Sequence, residues 1–141
     1  LARESLQEID CDYDHGTGHG IGSFLSVHEG PQRIAKTNAL SDGEIREGMI
    51  LSNEPGFYKK EEYGIRTENL IIASRVSNTK LGFETISFAP FDVDLIDVRI
   101  LTSKEIEWIN AYHKKVYQKL YEKLNTEEGI WLRKVTKPLL K

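Results

Sequence analysis

Apolar and polar positions divide this chain into a glycine-rich first part and a helical last part. Five glycines and three histidines fall between Asp14 and Gly30. So much backbone freedom disfavours a helix, which leaves loop and short strand. Two runs of strand-forming residues follow, Met49 to Leu51 and Ile65 to Ala73. Their position between glycines and prolines predicts neighbouring antiparallel strands.

Two other stretches have less regular patterns. Asn38 to Arg46 is mixed in polarity, which predicts a loop or a single helical turn. From Thr85 to Ile100, apolar residues recur at strand-like spacing and predict short strands. We expect an interruption at Pro90, because proline cannot donate a ladder hydrogen bond.

The period of the apolar positions changes in the last third of the chain. Apolar residues recur there every three or four positions, which predicts one face of a long helix; they are Ile106, Ile109, Tyr112, Val116, Leu120 and Leu124. Thr102 followed by Glu105 is a capping-box pattern that would begin this helix. Gly129 is expected to end helical structure, leaving a short apolar tail before Pro138.

Size and charge limit the possible function classes. The chain has 141 residues and a formal net charge of -3, so it suffices for one domain and lacks the positive field that attracts nucleic acid. Its single cysteine, Cys11, cannot form an internal disulfide, which is typical of a reducing cytoplasm. No apolar run reaches the roughly 20 residues of a membrane span. We expect a soluble, cytoplasmic protein with neither a nucleic acid nor a membrane as partner.

The start of the chain indicates a piece of a longer protein. Leu1 to Ile9 is typical of a helix end, with no capping residue before it. The same run has no signal-peptide pattern. We therefore expect the preceding part to be folded enzyme rather than a targeting segment.

The histidines His15, His19 and His28 are unusually close together in the sequence. Each one alone is more typical of a structural residue than of a ligand. Together, among glycines that allow close approach to the backbone, they indicate a site. The H-E-x-x-H order of a zinc-protease helix is absent, and the glycine content argues against a helix there.

Two carboxylates are predicted at strand positions, where burial requires an ion pair, hydrogen bonds or a metal. Glu54 ends the run that begins at Met49, just before the strand-terminating Pro55. Glu68 lies two residues after Arg66, so both side chains would point to the same face of a strand. A surface ion pair explains this second pattern as well as a site does.

Three motifs together resemble the catalytic half of aminopeptidase P: His15 to Pro31, Gly48 to Tyr58 and Gly64 to Asn69. The segment from about Thr85 to Pro138 is similar to the C-terminal extension of the large cytosolic form of that enzyme. Aminopeptidase P is one of the pita-bread metallopeptidases. This group also contains prolidase, methionine aminopeptidase and the creatine amidinohydrolase branch.

The resemblance implies an α+β fold. Residues 1–84 would be the second half of a pita-bread domain, a curved antiparallel sheet with helices on one face. Residues 85–141 would be a C-terminal extension with a long helix, packed on the same domain. The large form of the family also implies a homodimer.

The resemblance further implies a two-metal site. His19 and Glu54 would ligate one metal ion, and Glu68 would bridge two. Imidazole and carboxylate ligands suit manganese, with zinc or cobalt as alternatives. The family takes two aspartate ligands and another histidine from strands upstream of this chain. We therefore expect the chain alone to bind metal weakly and to hydrolyse nothing.

The implied activity is removal of the N-terminal residue from peptides whose second residue is proline. Glu54 would add general-base work on the metal-bound water, and Arg66 would orient the carboxylates. His28 would hydrogen-bond the substrate near the scissile bond, and His15 would line the proline side of the cleft. The alternatives are a prolidase-like dipeptidase, which shares these residues, and a pita-bread domain that only binds.

Overall fold

The computed structural model describes residues 2–36 and 43–141. They divide into two units, Leu1–Ser87 and Phe88–Lys141. A loop or single helical turn was expected over residues 38–46, of which residues 38–42 lie outside the described ranges. Residues 43–46 have no regular secondary structure.

The first unit consists of short antiparallel strands after one helical turn. In chain order these elements are α1 (Glu4–Gln7), β1 (Gly18–His19), β2 (Arg33–Ile34), β3 (Ile50–Asn53), β4 (Gly56–Lys59), β5 (Tyr63–Arg66), β6 (Asn69–Ser77) and β7 (Lys80–Thr85). Strand β1 pairs with β2, β4 pairs with β5, and β6 lies between β3 and β7 in a three-stranded sheet. All these pairs are antiparallel.

The predicted pairing of the two apolar runs is confirmed. Strand β3 lies antiparallel to β6, with Leu51 opposite Ile71. Leu51 is completely buried, and Ile71 and Ala73 are buried beside it. Burial of a large aliphatic side chain stabilises a fold by about 1.5–3 kcal/mol. These residues therefore form the core of the first unit.

The second predicted strand is not continuous. Thr67 and Glu68 interrupt it, because β5 pairs with β4 whereas β6 pairs with β3 and β7. The chain changes partners at these two residues. Glu68 is consequently exposed in the connection rather than held on a strand with Arg66.

The second unit is helical, as the period of its apolar residues predicts. Helix α2 (Ser103–Leu120) begins at a capping box in which the Thr102 side chain accepts from the Glu105 N–H and Glu105 accepts from the Thr102 N–H. Tyr112 and Val116 from α2 form a buried cluster with Leu132. Within the described ranges, no helix has the length and apolar character needed to cross a bilayer.

The predicted helix end at Gly129 is wrong. Helix α2 ends at Leu120, a 3-10 turn covers Tyr121–Lys123, and a second helix, α3 (Thr126–Val135), contains Gly129 in its middle. A Cβ on Gly129 would lie 3.1 Å from a ring carbon of Tyr121. This glycine therefore allows a close approach between neighbouring turns and does not end a helix.

The strands predicted between residues 85 and 100 are also wrong beyond the end of β7. A 3-10 helix at Val93–Leu95 is the regular element there. The reason lies in the backbone hydrogen bonds: the Tyr112 hydroxyl donates to the Ala89 carbonyl at 2.8 Å, and the Phe91 N–H donates to His113 Nε2 at 3.0 Å. Side chains of α2 thus bind backbone groups that a neighbouring strand would otherwise pair.

Candidate active site

The fold brings His19 and Glu54 together. His19 is the last residue of β1, and Glu54 directly follows β3. Their side chains meet with His19 Nε2 3.0 Å from Glu54 Oε1. The Glu54 N–H donates to the Thr17 carbonyl at 2.8 Å, which fixes the two backbones beside each other. Glu54 is buried, so its carboxylate requires partners.

The tautomer of His19 follows from its second nitrogen. Nδ1 lies 2.9 Å from the Gly20 carbonyl oxygen, which can only accept, so Nδ1 carries the proton in the neutral ring. Nε2 of the neutral ring is then an acceptor, and it lies 3.0 Å from a second acceptor, Glu54 Oε1. A cation between them would resolve this arrangement. Histidine ligands of metals commonly donate their other N–H to a backbone carbonyl in this way.

The separation of the two acceptors fits a shared metal ion. Nitrogen and oxygen ligands lie about 2.0–2.2 Å from zinc. Two ligands at such distances are about 3 Å apart at the right angle of an octahedral site and about 3.4 Å apart at the tetrahedral angle of zinc. The 3.0 Å found here is the octahedral separation. The donor set, one imidazole and one carboxylate, suits zinc and other divalent ions.

Close backbone packing makes this meeting possible. A Cβ on Gly18 would lie 2.0 Å from the Ser52 main-chain oxygen. No side chain can occupy that space, so β1 can lie against β3 only with glycine at this position. The glycine density that indicated a site thus has a specific structural role.

Ser52 is a member of the site that the sequence did not indicate. Its side chain is completely buried. The hydroxyl accepts the His19 main-chain N–H at 3.0 Å and donates to Glu54 Oε1 at 2.9 Å. Its spacing two residues before Glu54 on a strand is a signal that could have identified it.

Arg66 contacts the other oxygen of Glu54, with Nη1 3.3 Å from Oε2. Arg66 Nε also donates to the Tyr58 hydroxyl at 2.8 Å. This hydrogen bond, followed by the nearby negative charges of Glu54 and Glu68, raises the pKa of Arg66, so the guanidinium is held in its charged form. Arg66 therefore contacts a carboxylate, as the orienting role predicted for it requires.

Tyr58 is a second residue that the sequence did not indicate. Its hydroxyl lies 2.8 Å from His15 Nε2, while His15 Nδ1 lies 2.7 Å from the Gly16 carbonyl oxygen. In the neutral ring His15 therefore has its N–H at Nδ1, and Tyr58 donates to Nε2. A continuous chain of hydrogen bonds runs from Arg66 through Tyr58 to His15.

His28 completes one side of the cleft. Its ring centroid is 4.1 Å from that of His19. Both rings line a cavity of about 580 Å³ together with His15, Glu54 and Arg66. All three predicted histidines and Glu54 thus face one space within the first unit.

Glu68 is exposed, but its backbone segment lies beside the segment that carries Glu54. The last rung of the β3–β6 pair joins Asn53 and Asn69. The Thr67 N–H donates to the Pro55 carbonyl at 3.2 Å. Glu54 and Glu68 therefore lie opposite each other, each one between these two contacts on its own segment. Even so, in residues 2–36 and 43–141 no three His, Cys, Asp or Glu side chains converge as a preformed metal cluster.

Comparison with known proteins gives the family. Residues 1–75 match the description "Metallopeptidase family M24", and residues 79–139 match "C-terminal region of peptidase_M24". Xaa-Pro aminopeptidase 1 of Dictyostelium discoideum is 43% identical over 99% of this chain and 24% of its own length. Aminopeptidase P2 of Arabidopsis thaliana is 42% identical over 100% of this chain and 21% of its own length.

A solved structure has the same fold. X-prolyl aminopeptidase from Caenorhabditis elegans, described as a cytosolic enzyme with a di-nuclear active site, superimposes with a TM-score of 0.86. It is 38% identical, and the match covers 97% of this chain and 23% of that one. The fold class is therefore α+β of the pita-bread type, as the sequence predicts.

The chain belongs to metallopeptidase family M24. The resemblance to aminopeptidase P is confirmed by the relatives that it matches. The chain spans about a quarter of the length of these relatives, for example 24% of the Dictyostelium discoideum enzyme.

Proposed function

We propose that this chain supplies part of the active site of an aminopeptidase that removes the N-terminal residue from peptides with proline in second position. The relatives named Xaa-Pro aminopeptidase support this reaction. The observation that carries the proposal is the close approach of His19 Nε2 to an oxygen of the buried Glu54, 3.0 Å away. An imidazole nitrogen and a carboxylate oxygen at this distance can bind the same metal ion.

The metal ligands in this proposal are His19, Glu54 and Glu68. His19 and Glu54 would hold one divalent ion, and Glu68 would bridge it to a second. Their imidazole and carboxylate groups fit manganese, with zinc or cobalt as alternatives. When bound, a pair of such ions supplies a hydroxide at neutral pH and polarises the scissile carbonyl.

The protein groups around the metal would bind and orient the substrate and move its protons. Glu54 would act as general base, its carboxylate being oriented by Ser52 and Arg66. His28, exposed at the cavity beside His19, is placed to hydrogen-bond a peptide near the scissile bond. His15 would line the side of the cleft that receives proline, with its ring held by Tyr58.

The proposal extends to organisation and location. Residues 1–84 would be the second half of a pita-bread domain, and residues 85–141 would be its C-terminal extension. The assembled enzyme would be a cytoplasmic homodimer. The C. elegans neighbour is described as cytosolic, which supports the location.

Substrate length tests the activity. The protein that carries this segment at the length of its relatives should release the first residue from an Xaa-Pro-Xaa tripeptide with added manganese, and Glu54→Gln should abolish release. The exposed Glu62→Gln is the matched control. Exclusive cleavage of Xaa-Pro dipeptides would favour a prolidase. No metal-dependent cleavage of either substrate would reduce the protein to a binding module.

A further inference from the structure

Ser52 occupies an unusual position between the two proposed ligands of one metal ion. Its side chain is completely buried in β3. One hydroxyl contacts the backbone of His19 at 3.0 Å and the side chain of Glu54 at 2.9 Å. The two ligands are thus connected through a single oxygen atom.

The direction of both hydrogen bonds is fixed. A main-chain N–H can only donate, so the Ser52 oxygen accepts from His19. A serine hydroxyl has one proton to donate. The Glu54 carboxylate accepts that proton at Oε1, which is the same oxygen that faces His19 Nε2. Reversal of either bond would leave a buried polar group without its partner.

The two bonds constrain different degrees of freedom. The backbone beside Glu54 is already held by its N–H bond to the Thr17 carbonyl. Rotation of the carboxylate about its own side-chain torsions is restrained instead by Ser52 at Oε1 and Arg66 at Oε2. Arg66 is much more exposed than Ser52, so solvent weakens its contact. Ser52 is therefore the better-shielded restraint on the oxygen that faces His19.

We propose that Ser52 is a positioning residue that sets the distance and orientation between His19 Nε2 and Glu54 Oε1 for metal binding. This inference rests on the proposed metal site. It assigns to Ser52 no contact with substrate or metal. Its effect passes entirely through the two ligands to which it is hydrogen-bonded.

Substitution in the protein of full family length tests this role. Ser52→Ala removes both hydrogen bonds and should weaken manganese binding about 10- to 100-fold, the usual effect of removing a group that orients a ligand. Manganese affinity is measured by competition with a chelating dye. Ser52→Thr retains the hydroxyl in a strand-forming residue and should recover most of the affinity. Excess manganese should restore part of the lost turnover in Ser52→Ala.

Ser87 provides a matched control. Its hydroxyl also accepts a main-chain N–H, from Leu70 at 2.7 Å, in the same unit. Ser87→Ala therefore removes a comparable backbone contact without touching His19 or Glu54. It should leave manganese affinity unchanged, and thermal unfolding of both variants shows whether they remain folded.

The outcomes separate this inference from the proposed function. If the unsubstituted protein binds manganese but Ser52→Ala binds it as tightly as Ser87→Ala does, the role of Ser52 is refuted and the metal site stands. Equal losses in Ser52→Ala and in a Ser52→Thr variant whose thermal unfolding matches that of the unsubstituted protein would also refute it, because the hydroxyl would then not be responsible. If the unsubstituted protein binds no divalent metal, both proposals fail.

Discussion

Glu54 divides its two oxygens between partners of different character. Oε1 accepts a hydrogen bond from the neutral Ser52 hydroxyl and lies 3.0 Å from His19 Nε2, whereas Oε2 lies 3.3 Å from the Arg66 cation. The Arg66 cation therefore contacts only the oxygen that does not face His19. At the scale of single residues, the orientation of the Glu54 carboxylate is therefore set by the partners of its two oxygens.

Tyr58→Phe tests the chain of hydrogen bonds on the other side of Arg66. The change removes the hydroxyl that accepts from Arg66 and donates to His15. A hydrogen bond to a charged group contributes about 1.5–3 kcal/mol, so we expect turnover of an Xaa-Pro peptide in the full-length enzyme to fall about 10-fold or more.

Tyr63→Phe is the control, because Tyr63 is an exposed tyrosine of the same hairpin and neither lines the cavity nor contacts His15 or Arg66. Steady-state kinetics should show Tyr63→Phe close to the unsubstituted enzyme. Equal activity of the two variants would mean that this chain of hydrogen bonds does not contribute to the reaction.

At the scale of elements, the sequence predicts a boundary well when the residues that set it are neighbours in the chain. It does not show boundaries that are set by contacts between different elements. Thr102 and Glu105 predicted the start of α2 because both partners of a capping box lie within one turn. Gly129 was misread as a helix end because its reason, the nearby ring of Tyr121, is a contact between two turns. The break at Thr67 and Glu68 was missed for a similar cause, since strand partners are set by the whole sheet.

Thr102→Ala measures the capping box. Loss of an N-cap side chain costs about 0.5–2 kcal/mol, so the free energy of unfolding of the helical unit should fall by about 1 kcal/mol in urea titrations followed by circular dichroism. Ser103→Ala, one residue further along in the exposed first turn, should change it much less. Similar losses in both variants would contradict a specific cap.

His113 makes the helical unit sensitive to acid. Burial lowers the pKa of this imidazole, and its Nε2 must stay unprotonated to accept the Phe91 N–H. The folded state therefore favours neutral histidine. Neutral His113 therefore makes its full contribution to the free energy of unfolding above the unfolded-state pKa of about 6.5. This contribution is lost as pH falls from there towards the lower pKa that His113 has in the folded state.

Urea titrations across pH check this sign. The free energy of unfolding should be flat near pH 7 to 8 and decrease below about pH 6.5, by at most about 1.4 kcal/mol per pH unit for one proton. His113→Asn should be less stable at neutral pH and lose this part of the slope. A slope that is unchanged in the variant would assign the acid sensitivity to other groups.

At the scale of the whole molecule, the sequence was enough to predict the family and the candidate site residues, because the glycine-histidine and carboxylate motifs are specific. The meeting of His19 and Glu54 was predicted as well, by resemblance to known enzymes. The parts played by Ser52 and Tyr58 could not be, since serine and tyrosine at strand positions are common and only their contacts distinguish them. The exposure of Glu68 depends on strand pairing in the same way.

The 141-residue chain alone is expected to be a poor metal binder. Among the residues that the structure describes, His19 and Glu54 converge but no cluster of three ligands forms. Isothermal titration with manganese should therefore give weak or no binding, and Xaa-Pro peptides should remain intact. Turnover comparable to that of a full-length relative would contradict this expectation.

The hairpin formed by β4 and β5 leaves and re-enters the sheet between the two acidic residues. Its neck is closed by the Thr67 N–H to Pro55 carbonyl bond, and its tip contains Glu61 at a φ of 62°. A protein engineer could therefore lengthen or graft this tip while the spacing of the two carboxylates is kept at the base. We expect sequence added at this loop end, beyond the rung that pairs Lys59 with Tyr63, to leave Tyr58 and Arg66 in place.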